Sequence, residues 1–366
     1  MNPPEGFIGQ PKSALDTPTL LVDLDVMEAN IALVAATCRE NGVGWRPHIK
    51  GQKCPEIARK ELAAGAIGVT CAKLGEAEVM AEAGIRNILI ANQIVGPAKV
   101  QRLINLLERA DLIVAVDSVA NAAELAEAAR ARGRRLEVVI EVDVGMKRAG
   151  VTPGGPVVAL ANAIGPLSGL LFRGLIAWES QAVAIVDPAA KEKAVVEAVG
   201  LLTASADACR HAGYPIDIVS CGGTGTFPYC VRQPGVSEVQ VGGGIFGDMH
   251  YRNNYHVDFP CALTVMATVT SRPTPTRIVL DAGKKSMSGD AAMPQPIGLS
   301  GVRGLRLSAE HATIELETAS DVRIGERLEF IVGYSDTTVH LHDEIVAIRR
   351  GRVEAVWCIA ARGKTK

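Results

Sequence analysis

The sequence predicts an α/β fold in which a (β/α)8 barrel is followed by a C-terminal all-β domain. Between residues 43 and 248, eight short runs rich in β-branched residues alternate with alanine-rich stretches of helix length. After Tyr251 the helical patterns stop, and strand-like runs separated by turn residues continue towards the end of the chain. Alternating β and α elements form parallel sheets with right-handed crossovers, and eight such units over about 200 residues fit a closed barrel. A doubly wound open sheet is the alternative topology.

The chain starts with an extended run and a helix. Residues 17–25 form the extended run, because Pro18 does not allow an early helix. Asp25 can cap the helix that follows, in which Met27 and Ile31 recur at helical spacing. The eight predicted barrel strands then cover residues 43–50, 67–73, 87–94, 112–118, 137–145, 171–179, 216–225 and 238–248. We place the barrel domain at residues 26–256.

The all-β domain is predicted from alternating strand-like runs that lack long helical patterns. These runs cover residues 261–270, 276–281, 304–308, 312–317, 327–332, 344–349 and 352–357. We place the domain at residues 257–366. We also expect the N-terminal residues 1–25 to join it, with their extended run paired to its strands.

Composition limits the classes of partner and compartment. Hydrophobic residues make up 48% of the chain and the mean hydropathy is +0.19, which is enough for a buried core. A net charge of −2 with 4% aromatic residues argues against a nucleic acid partner. No segment reaches about 18 uncharged apolar residues, and residues 1–6 lack a signal-peptide pattern, so we expect no membrane partner. The eight cysteines are scattered without a CxxC pair, which indicates free thiols in a reducing cytoplasm.

Lys50 is the first candidate for chemistry. It ends the first predicted strand, and the carboxyl end of a parallel barrel strand is where such barrels form their active sites. A lysine whose ammonium group is partly withdrawn from water can form a Schiff base with an aldehyde. We therefore interpret Lys50 as the residue that holds pyridoxal phosphate; a solvated lysine at a strand end is the alternative. His48 shares its side of the strand and either takes part in catalysis or supports the site.

Two glycine-rich segments predict a phosphate site. Residues 221–226 read Cys-Gly-Gly-Thr-Gly-Thr after the strand residues 216–220 of the seventh run, and residues 242–244 are three glycines after the next strand. Glycines let main-chain N–H groups approach an anion, and barrels of this kind often bind phosphate after strands seven and eight. The segments contain neither a Walker lysine nor a GxGxxG pattern, which argues against a P-loop or a dinucleotide site. Glycines that serve only tight turns are the alternative.

Taken together and in order, several motifs resemble one family along almost the whole chain. They are RPHIK at 46–50, CPE at 54–56, EVDVG at 141–145, GGTG at 222–225, DAG at 281–283, EH at 310–311 and VEAVW at 353–357. The chain resembles the D-threonine aldolase and D-serine dehydratase family, which are fold-type III pyridoxal phosphate enzymes related to alanine racemase. Each motif alone is unspecific, but their ordered combination is specific.

The resemblance implies roles for the matching residues. Lys50 would carry pyridoxal phosphate, and Arg148 would lie near the oxygen on the cofactor's ring. Trp178 would be the aromatic residue that the family's pockets take from the sixth strand. The residues implied to line the phosphate are Gly223, Thr224, Gly225, Gly242 and Gly243, with Tyr251 on the same side.

The chain departs from the family at two positions. The family sequence Ala-Tyr-His-Gly is replaced by residues 177–180, so that Glu179 stands where the family has a histidine. In the family's His-x-Asp or His-x-Cys motif, which binds a divalent metal (Mn, Mg or Zn), the aspartate is kept as Asp336, but Tyr334 stands at the histidine position. If residues 339–343 are extended, His340 and His342 would face one side and offer other ligands. The sequence leaves metal binding at Asp336 open.

The resemblance implies a lyase that cleaves D-β-hydroxy-α-amino acids to glycine and an aldehyde. The proton of the β-hydroxyl would go to Glu179, to His311 or to a metal-bound water near Asp336. Three alternatives stay open: a D-amino-acid dehydratase, a racemase or epimerase that uses Tyr334 as a base, and a non-catalytic protein that binds pyridoxal phosphate. The resemblance also implies a homodimer acting on a small amino acid.

Overall fold

The computed structural model describes residues 4–366. Its internal contacts form two compact units. The barrel unit contains residues 32–50, 55–242 and 363–366, and the β unit contains the segment up to residue 31 together with residues 51–54 and 243–362. The predicted domain boundaries differ from this division mainly at residues 51–54 and 243–256, which belong to the β unit.

The strands account for both predicted domains. In chain order they are β1 Thr19–Asp23, β2 Gly44–Trp45, β3 Val69–Cys71, β4 Asn87–Ile90, β5 Asp111–Val116, β6 Leu136–Glu141, β7 Leu170–Ile176, β8 Ile218–Cys221, β9 Glu238–Val239, β10 Leu263–Thr274, β11 Arg277–Leu280, β12 Gln295–Pro296, β13 Val302–Leu307, β14 Ala312–Leu316, β15 Arg327–Ile331, β16 Glu344–Arg349 and β17 Arg352–Cys358.

The helices connect the barrel strands, with two short ones in the β unit. They are α1 Leu24–Glu40, α2 Pro55–Ala63, α3 Leu74–Glu82, α4 Pro97–Leu106, α5 Val119–Ala131, α6 Gly155–Ile164, α7 Pro188–His211, α8 Phe227–Cys230, α9 Met249–Asn254 and α10 Ser335–Val339. Short 3-10 helices cover Pro4–Phe7, Lys12–Ala14, Ser180–Ala182 and Gly243–Ile245. Within residues 4–366, no helix has both the length and the apolar character needed to cross a bilayer.

The barrel unit is an eight-stranded parallel sheet with the order β2-β9-β8-β7-β6-β5-β4-β3. Just beyond β2, a parallel bridge between His48 and Thr70 connects the first and second strands and joins the two ends of the sheet. The predicted eight-strand barrel is therefore confirmed. The inward-facing core is apolar, with Leu89, Ile113, Ala115, Val139, Ile176 and Ile218 buried together.

The predicted barrel strands were too long. The first predicted strand covers eight residues, whereas β2 is Gly44–Trp45, because Pro47 has no N–H for a ladder. Arg46 in the same motif is buried and structural. Its Nε and Nη2 atoms donate to the two carboxylate oxygens of Glu238 at 2.9 and 3.0 Å, and its Nη1 atom donates to Asn87 Oδ1 at 2.7 Å. Arg46 thus links β2 to β9 and β4 inside the barrel.

The β unit contains one nine-stranded sheet whose main path is β13-β14-β11-β10-β1-β16-β17, with β15 paired to β10 and β12. The expected pairing of the N-terminal run is confirmed, since β1 is antiparallel to β10 and parallel to β16. A core of apolar side chains from these strands and the N-terminal segment contains Leu15, Leu21, Met266, Val346, Ile348 and Val353.

Candidate active site

Lys50, Arg148 and Gly223 converge on the indole of Trp178 in the barrel unit. Lys50 Nζ and Arg148 Cζ each lie 5.6 Å from a ring centroid of Trp178. A Cβ atom built on Gly223 would lie 3.0 Å from Trp178 Nε1. Because an indole face attracts cations within about 6 Å, Trp178 helps to fix both positive side chains beside the glycine-rich segment.

The half-buried His48 supports the main chain at Lys50. The N–H group of Lys50 donates to His48 Nδ1 over 3.4 Å. An Nδ1 atom that accepts a hydrogen bond leaves the proton of a neutral imidazole on Nε2. The contact connects the His48 ring to the main chain of Lys50.

Gly242, after β9, has no room for a side chain. A Cβ atom on Gly242 would overlap the carbonyl group of His48, with the carbonyl carbon only 2.9 Å away. Thr224 and Gly225 are buried, and Gly223 packs on the Trp178 ring. Such bare main chain exposes N–H groups to an anion, so the segment suits a phosphate. With the Lys50 amine and the Arg148 cation beside it, the barrel unit fits pyridoxal phosphate.

Glu141 orients Arg148, although the sequence assigned it no role beyond its motif. Arg148 Nη2 lies 3.7 Å from Glu141 Oε1, and Gln93 Nε2 donates to Glu141 Oε2 at 2.6 Å. The Arg148 side chain is 54% exposed, so the pair contributes more to orientation than to stability. Glu141 is the last residue of β6, and its contacts with Gln93 and Arg148 join separate segments, so residue spacing alone does not identify its role.

Glu179, a predicted candidate for proton transfer, is fully buried against the glycine-rich segment. The N–H of Gly222 donates to its Oε2 atom at 3.4 Å. The Thr226 hydroxyl donates to Oε1, and the Cys230 thiol donates to the same oxygen at 3.4 Å. Three donors from one short segment therefore engage the carboxylate.

Glu179, Cys221 and Cys230 are also the one group of three potential metal ligands found within residues 4–366, with ligand atoms within 4.8 Å of one another. Burial, then the hydrogen bond with Cys221 and the Glu179 charge, raises the pKa of Cys230 well above its ordinary value. The thiol therefore keeps its proton at neutral pH and can donate it. Hydrogen bonding to Glu179 accounts for this grouping without an ion.

Tyr334 and Asp336, the residues at the family's metal positions, pair with each other in the β unit. The Tyr334 hydroxyl donates a hydrogen bond to the Asp336 carboxylate, and burial together with this charge raises the pKa of Tyr334. A phenol that holds its proton does not replace a histidine as a ligand for a divalent cation. The residues present therefore do not fit the family's His-x-Asp metal site.

The remaining histidines of the sequence prediction lie elsewhere in the β unit. The condition of an extended run at 339–343 is not met, because α10 covers Ser335–Val339 and His340 caps its end. His342 Nε2 donates to the Ser286 carbonyl at 2.8 Å, and burial lowers the pKa of His342. His311 is exposed in the turn between β13 and β14. The period-two pairing of His340 and His342 is thus absent.

An aromatic cluster around His250 was missed by the sequence analysis. The His250 ring centroid lies 4.5 Å from that of Tyr255 and 4.7 Å from that of Tyr334. Burial lowers the pKa of His250, and its Nδ1 atom accepts from Asn254 at 2.7 Å. Tyr251 belongs to the same cluster, and its phenol packs on Gly243, where a Cβ atom would overlap the hydroxyl. The sequence signal that could have identified His250 was its position next to Tyr251.

Asp248 joins α9 to the start of α10. Its Oδ1 atom accepts from the N–H of Tyr251 at 2.8 Å, and its Oδ2 atom accepts from the N–H and hydroxyl of Ser335, both at 2.8 Å. Burial raises the pKa of Asp248 from 3.8 to about 6, because these hydrogen bonds only partly offset the loss of solvent. The side chain therefore titrates between the acidic and neutral ranges.

We expect Asp248 to make the protein less stable as pH rises from about 4 to about 6. In this window the folded state holds more protons than the unfolded state, so the free energy of unfolding falls with pH. A shift from 3.8 to about 6 corresponds to about 3 kcal/mol at 1.36 kcal/mol per unit. Denaturant unfolding of wild type and Asp248→Asn at pH 4 and pH 7 measures this contribution to the free energy of unfolding. The asparagine side chain does not titrate, so the variant lacks the contribution. An equal pH dependence in both proteins would show that Asp248 does not titrate there.

Two adjoining segments of the chain match models of known protein families. Residues 22–250 match the family described as alanine racemase, N-terminal domain, and residues 262–348 match a serine dehydratase domain. The first match alone covers more than half of the chain.

Characterised relatives extend over nearly the full length. The chain is 35% identical to a D-threonine aldolase from Arthrobacter sp over 365 residues, covering 99% of this chain and 96% of the relative. It is 32% identical to a 3-hydroxy-D-aspartate aldolase from Paracoccus denitrificans (strain Pd 1222), covering 97% and 94%. The crystal structure of a D-threonine aldolase from Filomicrobium marinum superposes with a TM-score of 0.95 at 35% identity, covering 98% of this chain and 99% of that chain. Dehydratases are also among the relatives.

Proposed function

Because the chain belongs to the D-threonine aldolase and D-serine dehydratase family of alanine racemase-like proteins, we propose that it is a pyridoxal phosphate-dependent carbon–carbon lyase. Its substrates are D-β-hydroxy-α-amino acids, and its products are glycine and an aldehyde. The observation that carries the proposal is the convergence of Lys50 and Arg148 on Trp178, beside a glycine-rich segment suited to phosphate. The aldolase relatives align over both units of the chain.

The barrel unit supplies the groups that would hold the cofactor. Bound pyridoxal phosphate draws electrons from the α-carbon of an amino acid joined to it, which allows a bond to that carbon to break. Lys50 Nζ provides the amine for covalent attachment. Arg148, held by Trp178 and Glu141, provides a fixed cation for the ring oxygen. The Thr224 hydroxyl and the main-chain N–H groups of the glycine-rich segment bind the phosphate.

Cleavage of the bond between the α- and β-carbons also needs a group that takes the proton of the β-hydroxyl. Glu179 is fully buried with three donors on its carboxylate, and His311 lies in an exposed turn, so neither is suited to this task. Of the acceptors that the sequence predicts for this proton, a group near Asp336 is the one that remains.

Of the alternatives, the racemase is disfavoured by the state of Tyr334. A base must lose its proton readily, whereas burial and Asp336 raise the pKa of Tyr334. A dehydratase would break the bond between the β-carbon and its hydroxyl and release ammonia and a keto acid. A cofactor carrier would bind pyridoxal phosphate without turnover.

Product analysis separates these functions. Purified protein loaded with pyridoxal phosphate is incubated with D-threonine, and with L-threonine as the stereochemical control. Aldehyde and glycine from the D-enantiomer alone support the lyase. Ammonia with a keto acid supports the dehydratase. L-allo-threonine, which forms by inversion at the α-carbon alone, supports the racemase or epimerase. No turnover with any D-β-hydroxy amino acid supports the carrier.

We expect cleavage by the wild-type protein to be insensitive to EDTA, within about 2-fold, because Tyr334 replaces the histidine that a metal ligand set requires. Tyr334→His restores that histidine beside Asp336 and is expected to tighten Mn²⁺ binding by about 10-fold or more, as measured by calorimetry.

Tyr334→Phe is the matched control, because it removes the phenol without adding a ligand. Its affinity for Mn²⁺ is expected to equal that of wild type. Wild-type activity that EDTA abolishes and Mn²⁺ restores would show that Asp336 binds a metal without the histidine.

Assembly and location remain proposals. We propose a homodimer in the cytoplasm, acting on a small amino acid, on the strength of the family resemblance. All eight cysteines lie within residues 4–366 and none of them forms a disulfide, which suits a reducing compartment. Sedimentation of the purified protein tests the dimer.

A further inference from the structure

Glu179 occupies an unusual place for an acidic side chain. It is 0% exposed, it follows the sixth barrel strand, and it contacts the segment that follows the seventh. Its three donors are the N–H of Gly222, the hydroxyl of Thr226 and the thiol of Cys230. Gly222 is the first residue of the run 222–225, which the proposed function assigns to the phosphate, whereas Thr226 directly follows this run and Cys230 lies beyond it.

We propose that Glu179 is a positioning residue that holds the glycine-rich segment of residues 222–225 in the shape that binds the cofactor's phosphate. This inference rests on the proposed function, since it concerns the phosphate of pyridoxal phosphate. It assigns Glu179 to the cofactor's affinity rather than to proton transfer.

The segment needs a positioning residue because its glycines have little conformational preference of their own. Gly222 has a φ of +74°, a conformation that glycine adopts without strain, and it has many others available when unbound. Main-chain N–H groups bind an anion well only when they point at it together. A carboxylate that accepts from Gly222 and Thr226 holds both ends of the turn and thereby fixes the groups between them.

The chemistry of the donors favours a carboxylate at this position. The Thr226 hydroxyl also lies 3.4 Å from the Gly223 carbonyl, so its proton has a choice of acceptor within the segment. Hydrogen bonds to a charged acceptor are stronger than those to a neutral carbonyl, so the Thr226 hydroxyl donates preferentially to Glu179. The Cys230 thiol adds a third donor on the same oxygen as Thr226.

Geometry also separates Glu179 from the exposed part of the site. Trp178, its neighbour in sequence, packs on Gly223 and lies beside Lys50. The Glu179 side chain is engaged with Thr226 and Cys230, both of which are buried. Its oxygens act on the cofactor through the segment and do not touch the substrate.

The test compares pyridoxal phosphate with pyridoxal, which lacks the phosphate. For Glu179→Gln, the dissociation constant for pyridoxal phosphate is expected to rise by at least about 10-fold, because the amide presents an N–H group to one of the three donors. The constant for pyridoxal is expected to stay within about 2-fold, and kcat at saturating cofactor within about 3-fold. Thr226→Val removes a donor and is expected to act in the same direction, with less than additive effect in the double variant.

Glu76→Gln is the matched control in the same unit. Glu76 is equally buried and accepts from the N–H groups of Ala72 and Lys73 at the start of α3, away from the phosphate segment. Its cofactor affinity is expected to equal that of wild type. Two results would overturn the proposal: unchanged pyridoxal phosphate affinity with kcat reduced by more than about 100-fold, or an equal loss of affinity for both compounds. A wild-type protein that binds no cofactor would instead remove the proposed function itself.

Discussion

Lys50→Ala is expected to eliminate covalent cofactor binding and to lower the cleavage of D-threonine by at least about 1,000-fold. The reason is that Lys50 Nζ is the amine at the carboxyl end of the first barrel strand, beside Trp178 and the phosphate segment. The visible absorption band of the attached cofactor, roughly at 410–430 nm, should be lost with the lysine. Borohydride reduction of the wild-type protein followed by peptide mass analysis measures the site directly, and the adduct should lie on Lys50.

Lys73→Ala provides a matched control for this prediction. Lys73 is an exposed lysine that follows the neighbouring strand β3, so it shares residue type and strand-end position with Lys50. Its replacement is expected to leave the absorption band in place and activity within about 3-fold. A reduced adduct on any other lysine, or a band that persists in Lys50→Ala, would contradict the assignment.

The second large effect is expected at Gly242. A Cβ atom there would overlap the His48 carbonyl, which belongs to the main chain and cannot turn away as a flexible side chain would. Gly242→Ala should therefore push the main chain of His48 away from the loop after β9. His48 lies two residues before Lys50, so the displacement should reach the lysine. Overpacking of this kind typically costs about 1–3 kcal/mol of stability. Because a misplacement of about 1 Å in a site can cost about 100-fold, we expect the cofactor's affinity to fall by about 10- to 100-fold.

Denaturant unfolding and equilibrium binding of pyridoxal phosphate measure the two parts of this effect. The control is Gly200→Ala, in the middle of α7, where a Cβ atom meets nothing within 4 Å. That change is expected to leave cofactor binding unaltered and to raise stability by about 0.5–1 kcal/mol, because alanine favours a helix over glycine. Wild-type affinity in Gly242→Ala would show that the approach of Gly242 to His48 is not needed by the site.

The barrel could be recognised from sequence because its signals are local. Short β-branched runs and alanine-rich helices alternate eight times, and the strand count places the glycine-rich segments after strands seven and eight, where β8 and β9 end. Strand lengths could not be read in the same way. Pro47 and Gly222 interrupt the ladders, while the apolar pattern around them continues.

The site was harder to predict because its side chains contact each other across distant segments. A glutamate after a strand reads as a candidate acid or base, and nothing local shows that Glu179 is buried with Thr226 and Cys230 as donors. His250 was missed because its contact with the Tyr334 ring joins residues that are distant in sequence. Burial and pairing of this kind depend on tertiary packing, which residue spacing does not encode.

The substitution at Tyr334 shows what a family comparison can and cannot transfer. The motif places Asp336 at a ligand position, but the neighbouring phenol forms a hydrogen bond to it and keeps its proton. A single changed residue thus alters the chemistry available at that position, while the fold is retained at a TM-score of 0.95 against an aldolase of known structure.

The most direct test of the account is the stoichiometry of products from D-threonine in one reaction, measured by proton NMR with the protein loaded with pyridoxal phosphate. Glycine and acetaldehyde in equal amounts, without ammonia and without reaction of L-threonine, are the expected result. Ammonia and a keto acid in equal amounts would contradict cleavage of the carbon–carbon bond and would make the protein a dehydratase.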